Sequence, residues 1–156
     1  MSRVLFVATD QSDTDRLGAI LAELIPPGTV VALIGTLGAG KTRLVQAVAA
    51  GLGISRALVV SPTFVICQEY QGSKVVVHLD AYRLRDEDEF FELGPQEWFE
   101  SDGLTLIEWA DRFAHCLPEE RLEIRIEVLP GDAREFEIRA VGDSLTEVIN
   151  LLRETI

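Results

Sequence analysis

Four side chains carry the chemistry of this 156-residue chain: Lys41 and Thr42, adjacent at the end of a glycine-rich stretch, and two carboxylates, Asp80 and Glu108, each closing an apolar run. Phosphoryl transfer needs this set: an ammonium to neutralise phosphate charge, a hydroxyl and a carboxylate for Mg²⁺, and a group that orients the attacking water or acceptor. Residues 35–42 read GTLGAGKT and fit the phosphate-loop pattern G-x-x-x-x-G-K-T. The glycines let the backbone turn tightly, so that successive N–H groups point at phosphate oxygens. Lys41 then reaches the β and γ phosphates, and the Thr42 hydroxyl ligates Mg²⁺.

The loop works only between a strand and a helix, and both flanks supply them. Val30, Val31, Ala32, Leu33 and Ile34 form an apolar run before it, and Leu44, Val45, Val48, Ala49 and Leu52 repeat at helical spacing after it. The helix adds the positive end of its dipole to the loop. Asp80 ends the run 75–79 and Glu108 the run 104–107. Ligands of open α/β sheets lie at the carboxyl ends of strands, so either acid can stand near Thr42, and spacing does not choose between them. Ser61, Pro62 and Thr63 lie between the loop helix and the next strands, where a switch hydroxyl or a plain turn fits equally. His78, inside a strand, reads as a packed core histidine rather than a catalyst. Trp109 either packs beside a nucleotide or caps the core. A guanine-specific Asn-Lys-x-Asp motif is absent, since the one asparagine is Asn150, and ATP is favoured by elimination.

The remaining elements read as one α/β domain over residues 1–156, three-layered, with a mixed sheet. A short strand at 4–8 precedes a helix that Ser12 is expected to cap, with Leu17, Ile20, Leu21 and Leu24 on one face. Two β-rich runs, 64–67 and 74–80, flank the turn 71–73 and predict an antiparallel hairpin. Residues 86–93 predict an acidic helix closed by Gly94, and Pro95 opens another. From 121 to 128 the alternation places Leu122, Ile124, Ile126 and Val128 on one face and Arg121, Glu123, Arg125 and Glu127 on the solvent face. A turn at 130–132, a strand to Val141 and an amphipathic helix through Leu145, Val148, Ile149 and Leu152 complete the chain.

Composition narrows the partners. A net charge of -12 without a basic cluster disfavours strong direct binding of nucleic acid and fits a basic protein partner. Cys67 and Cys116 form no spaced metal or redox motif, and Cys67 is expected to be buried. Without a long apolar stretch or a signal-peptide layout, the expectation is a cytoplasmic protein off the membrane.

The order GTLGAGKT, SPTF (61–64), HLDAYRL (78–84), ELG (92–94) and IEW (107–109) resembles the bacterial TsaE family, formerly YjeE, over roughly residues 14–109. Thr36, where the family usually has an acid, and Ala110, where it often has proline, depart from the pattern. The resemblance implies a P-loop ATPase of tRNA threonylcarbamoyladenosine biosynthesis that acts on a TsaB–TsaD pair. It implies that Gly35, Gly38, Ala39, Gly40, Lys41, Thr42 and the Arg43 N–H hold ATP, that Thr42 and Glu108 hold Mg²⁺, and that Asp80 is the catalytic or water-orienting acid. It also implies switch segments at Ser61 to Thr63 and around Tyr82, a nucleotide-responsive Trp109, and adenosine contacts from Gln11, Asp132 and Arg134. Two rival readings share the loop: a small-molecule kinase, which lacks a basic, glycine-hinged lid here, and an adaptor that binds ATP without hydrolysing it.

Overall fold

The computed structural model describes residues 2–36, 38–60 and 67–156. Its centre is the strand that leads into the phosphate loop. This strand, Val30–Gly35 (β2), is apolar on both faces, so it is stable only with a layer on each side. Five of its six residues are buried. It pairs in parallel with Leu104–Glu108 (β5) on one side and with Arg121–Val128 (β6) on the other. Val75–Asp80 (β4) extends the parallel set beyond β5.

Antiparallel strands finish both edges. Cys67–Gln71 (β3) folds back on β4, and Arg134–Val141 (β7) pairs with β6 and with the first strand, Arg3–Ala8 (β1). The seven-stranded order is β1-β7-β6-β2-β5-β4-β3. The mixed sheet and the hairpin are therefore as expected, although β3 runs later than the 64–67 segment assigned to it. Residues 64–66 of that segment lie outside the described residues.

Three helices cover one face: Gln11–Leu24 (α1), Lys41–Gly51 (α2) and Thr146–Thr155 (α5). Leu17, Leu21, Leu44, Val45 and Val48 pack there on Val31, Leu33, Leu122 and Ile124. The backbones of α1 and α2 approach closely because only small residues stand between them: a Cβ on Gly18 would lie 2.2 Å from Ala47 Cβ, and one on Gly51 2.7 Å from Ala22 Cβ. The opposite face is covered by shorter pieces, Glu87–Glu92 (α3), Pro95–Phe99 (α4) and the 3₁₀ segment Ala110–Cys116. Phe90 stacks on Phe113 at 5.5 Å and closes this second core over Val30, Ala32, Leu79 and Ile107.

Three local expectations change. The cap of α1 is Asp10, not Ser12. The Asp10 carboxylate accepts from the Asp13 N–H, and the Ser12 hydroxyl donates to Asp10. Asp13 in turn accepts from the Thr9 N–H, so the two acids close the helix start reciprocally. Cys67 is half-buried rather than buried, and its burial, with Glu69 nearby, pushes the thiol up to about 11. Glu123, assigned to solvent, is only 8% exposed, whereas Val128, assigned to the core, is 51% exposed. For Glu123 the physical reason is pairing. Glu123 accepts from Arg121 at 2.8 Å and from Arg139 of β7 at 2.5 Å, and two guanidinium groups compensate the buried carboxylate.

Burial alone would raise the Glu123 pKa, but the hydrogen bonds from Arg139 and Arg121 outweigh it and hold the carboxyl below its ordinary range. Such a group contributes stability above its unfolded pKa and loses that contribution as pH falls. Glu123→Gln should therefore destabilise the protein by about 1–3 kcal/mol at pH 7. Urea unfolding curves should show the gap to the parent chain closing on acidification below about pH 4.

Candidate functional site

The loop between β2 and α2 takes its shape from glycine. Gly38 (φ +79°) and Gly40 (φ +109°) occupy left-handed backbone, and α2 starts immediately after Gly40 with no side chain capping its first turn. At Gly35 a Cβ would lie 2.9 Å from the Ile126 carbonyl, so only glycine lets the strand turn beneath β6. Lys41 is buried and bends back over the loop. Its Nζ donates to the Gly35 carbonyl at 2.7 Å and the Thr36 carbonyl at 2.8 Å. It also lies 4.0 Å from the centre of the Trp109 ring. Burial pulls the Lys41 pKa below its ordinary value, opposed by Glu108, Asp80 and Asp111.

Trp109 reaches that position through an unusual backbone. Its φ of 59° makes it the one non-glycine residue with positive φ among the described residues. The turn ends β5 abruptly and lays the indole over Lys41, where Tyr82 packs on it at 4.9 Å. Left-handed backbone at a bulky residue costs about 1–2 kcal/mol, so the surrounding contacts must enforce it.

Both strand-end carboxylates stand at this loop. Parallel pairing sets Asp80 directly opposite Glu108. The Thr42 hydroxyl lies 3.0 and 3.1 Å from the two Glu108 oxygens. Asp80 Oδ1 accepts from the Tyr82 N–H at 2.9 Å. Burial raises the Asp80 pKa; the Tyr82 N–H works against the shift and the neighbouring Glu108 adds to it. His78, on the same strand face two residues earlier, places Nε2 2.5 Å from Glu108 Oε2. Lys41, Thr42, Asp80, Tyr82, Glu108 and Trp109 thus line one cleft of 360 Å³.

A second cleft of 580 Å³ adjoins it across Gly38, Gly40 and Arg43. Gln11, Asp132 and Arg134 line this one, so three residues matched on position alone come together beside the loop. Arg134 also braces the loop by donating to the Ala39 carbonyl at 3.1 Å. The Arg43 side chain turns away to Asp15 at 2.9 Å. Ser61 and Thr63, the expected first switch, lie outside the described residues.

Some contacts had little or no local signal. Asp15 of α1 accepts from both Arg43 and Arg56, tying α1 to α2 and to the turn that follows α2. Arg112 donates to the Ala81 carbonyl at 3.0 Å and to the Tyr82 carbonyl, fastening the 3₁₀ turn Ala81–Arg83 to the segment behind Trp109. A Glu87–His115 side-chain contact beside Cys116 joins α3 to the same segment. The His78–Glu108 contact was readable in part, because strand period places His78 and Asp80 on one face.

A parallel core strand, a glycine loop, a helix and two strand-end acids define a P-loop nucleotide-binding fold. The family described as threonylcarbamoyl adenosine biosynthesis protein TsaE matches residues 8–136, and the chain belongs to that family. It is 40% identical over 144 residues to the tRNA threonylcarbamoyladenosine biosynthesis protein TsaE of Bacillus subtilis, covering 92% of this chain and 89% of the relative. Against the TsaE protein of Treponema pallidum it is 39% identical over 132 residues, covering 85% and 97%. The crystal structure of Bacillus subtilis YdiB superposes with a TM-score of 0.83 at 32% identity, covering 99% of this chain and 97% of that one. No helix among the described residues is long and apolar enough to cross a membrane.

The loop geometry makes a direct prediction. A Cβ at Gly40 would meet nothing within 4 Å, so a substitution there acts through backbone strain alone. Gly40→Ala should lower stability by about 1–2 kcal/mol, read as a reduced melting temperature by calorimetry.

Proposed function

We propose that this chain is the ATP-binding and ATP-hydrolysing component of the machinery that installs N6-threonylcarbamoyladenosine at position 37 of tRNA. In this reading it acts on a TsaB–TsaD pair and does not transfer the group itself. The observation that carries it is the meeting of Lys41, Thr42, Asp80 and Glu108, from three separate stretches of sequence, at one cleft beside the glycine loop.

The donor set suits Mg²⁺: a hydroxyl and carboxylates, all hard oxygens, at the mouth of a helix. Thr42 and Glu108 would hold the ion, which when bound supplies neutralisation of charge on the β and γ phosphates. Lys41 would exchange the Gly35 and Thr36 carbonyls for phosphate oxygens, to which its ammonium donates and whose charge it neutralises. Gly38, Ala39, Gly40 and the N–H groups opening α2, Arg43 included, cradle the phosphate chain. Asp80 orients the attacking water. Its raised pKa brings it closer to the range in which a carboxylate accepts a proton usefully near neutrality. Gln11, Asp132 and Arg134 take the adenosine end, and Trp109 covers the ammonium side.

Charge supports the partner assignment. A chain of net charge -12 is a poor tRNA ligand and a good match for a basic protein surface. On the acidic helix α3, Phe90 is buried, while Phe91 is 55% exposed and offers an apolar contact among carboxylates.

Turnover of the pure protein with Mg-ATP, alone and with its TsaB–TsaD pair, tests this. Slow hydrolysis that rises with the pair is expected, and Lys41→Ala should reduce it to background. Asp80→Ala should retain ATP binding while turnover falls about 10²-fold or more. A fall in binding instead would make Asp80 a metal ligand. Bound ATP without turnover under any condition would make the chain an adaptor, and phosphorylation of a metabolite would make it a kinase.

A further inference from the structure

His78 has no task in the reaction as described, yet it is fully buried and touches the one carboxylate that Thr42 also touches. We infer that His78 is the positioning residue for Glu108: its Nε2–H holds the carboxylate toward Thr42, so that hydroxyl and carboxylate form a ready-made pair for the metal. The inference rests on the proposed Thr42–Glu108 metal site and adds a residue to it.

The tautomer follows from hydrogen-bond accounting. A neutral imidazole carries one N–H. With that hydrogen on Nδ1, two lone pairs would face each other across the 2.5 Å between Nε2 and Glu108 Oε2. A buried N–H would also lack an acceptor, because Nδ1 has no hydrogen-bond partner among the described residues. Orphaned buried N–H groups are rarer than orphaned acceptors. The arrangement with fewer penalties puts the hydrogen on Nε2, donating to Glu108.

Position explains why such a donor is needed. Asp80 lies directly opposite Glu108 in the register, and the two negative charges repel. Asp80 is steadied by the Tyr82 N–H. Glu108, one carbon longer and freer to turn, is steadied by His78 and Thr42. The histidine lines neither cleft at the loop, and its hydrogen-bond contact with the site is through Glu108. Groups that orient a metal ligand from behind typically change metal affinity 10–100-fold when removed.

The test compares His78→Leu, which keeps the packing volume beside Tyr70 and loses the donor, with His78→Gln, which restores an N–H. Mn²⁺ binding to the nucleotide-loaded protein, followed by electron paramagnetic resonance, should weaken about 10-fold in His78→Leu and recover most of the way in His78→Gln. Metal-free ATP binding should stay within about 2-fold of the parent in both, since the phosphate cradle is untouched. Unchanged Mn²⁺ affinity in His78→Leu, or equal loss in the two variants, overturns the inference. Should the variants not fold, nitrogen-15 spectra of the unsubstituted chain decide it. The chain has two histidines, so the signals are assignable. An Nε2–H tautomer at His78 supports the assignment, and an Nδ1–H tautomer overturns it. Both readouts are independent of hydrolysis, so an inactive but metal-binding protein would count against the proposed function and leave the role of His78 standing.

Discussion

Parallel register across β2, β5 and β4 is the constraint on which the rest depends. Parallel strands end at the same side of a sheet, so side chains far apart in sequence arrive at one edge together. Leu33 sits beside Glu108, and Glu108 beside Asp80, before the chain leaves the sheet at the loop. A slip of one residue in either pairing would send the carboxylate to the opposite face. Every one of the five residues of β5 is buried, so a slip would have to repack the cores on both faces of the sheet. The hydrophobic core therefore brings the carboxylates to one edge, and the polar contacts of Glu108 and Asp80 then orient them there.

Two layers hold that sheet, and they do different work. The long helices α1 and α2 are drawn together by small residues at Gly18, Ala47, Gly51 and Ala22 and give the loop helix a firm mount. The other layer is made of short helices and 3₁₀ turns, and it carries Tyr82, Arg112 and Trp109. Segments of this kind have few internal hydrogen bonds and rely on a few side-chain anchors, here Phe90 on Phe113 and Arg112 on the Ala81 carbonyl. The site thus rests on a long helix on the α2 side and on short anchored turns on the Trp109 side.

How much of this was legible in the residues depended on range. The loop, its flanking strand and helix, the hairpin and the acidic helix after Asp86 follow from local chemistry: glycine where φ is positive, apolar period where a core must form. Asp10 in place of Ser12 as the cap of α1 lies within the ambiguity of two capping residues two positions apart. Glu123 is buried because β7 supplied Arg139, a partner sixteen positions away that alternation along one strand cannot reveal. The pairing of Thr42 with Glu108 spans sixty-six positions, and spacing left both acids open as its partner. The resemblance chose Glu108, and the geometry places it within hydrogen-bond distance of the Thr42 hydroxyl.

Lys41 adds a consequence of its own. Its ammonium is already solvated by the loop it serves, with two carbonyls and an aromatic face standing in for water. Ligand capture is then an exchange of partners within a preorganised cage, in which the loop keeps its curvature before the anion arrives. The net affinity is the small difference between two well-satisfied states. An anion at the proposed nucleotide site would thus have to replace contacts that already satisfy the lysine, and its hold would reflect that exchange rather than the bare charge of the ammonium.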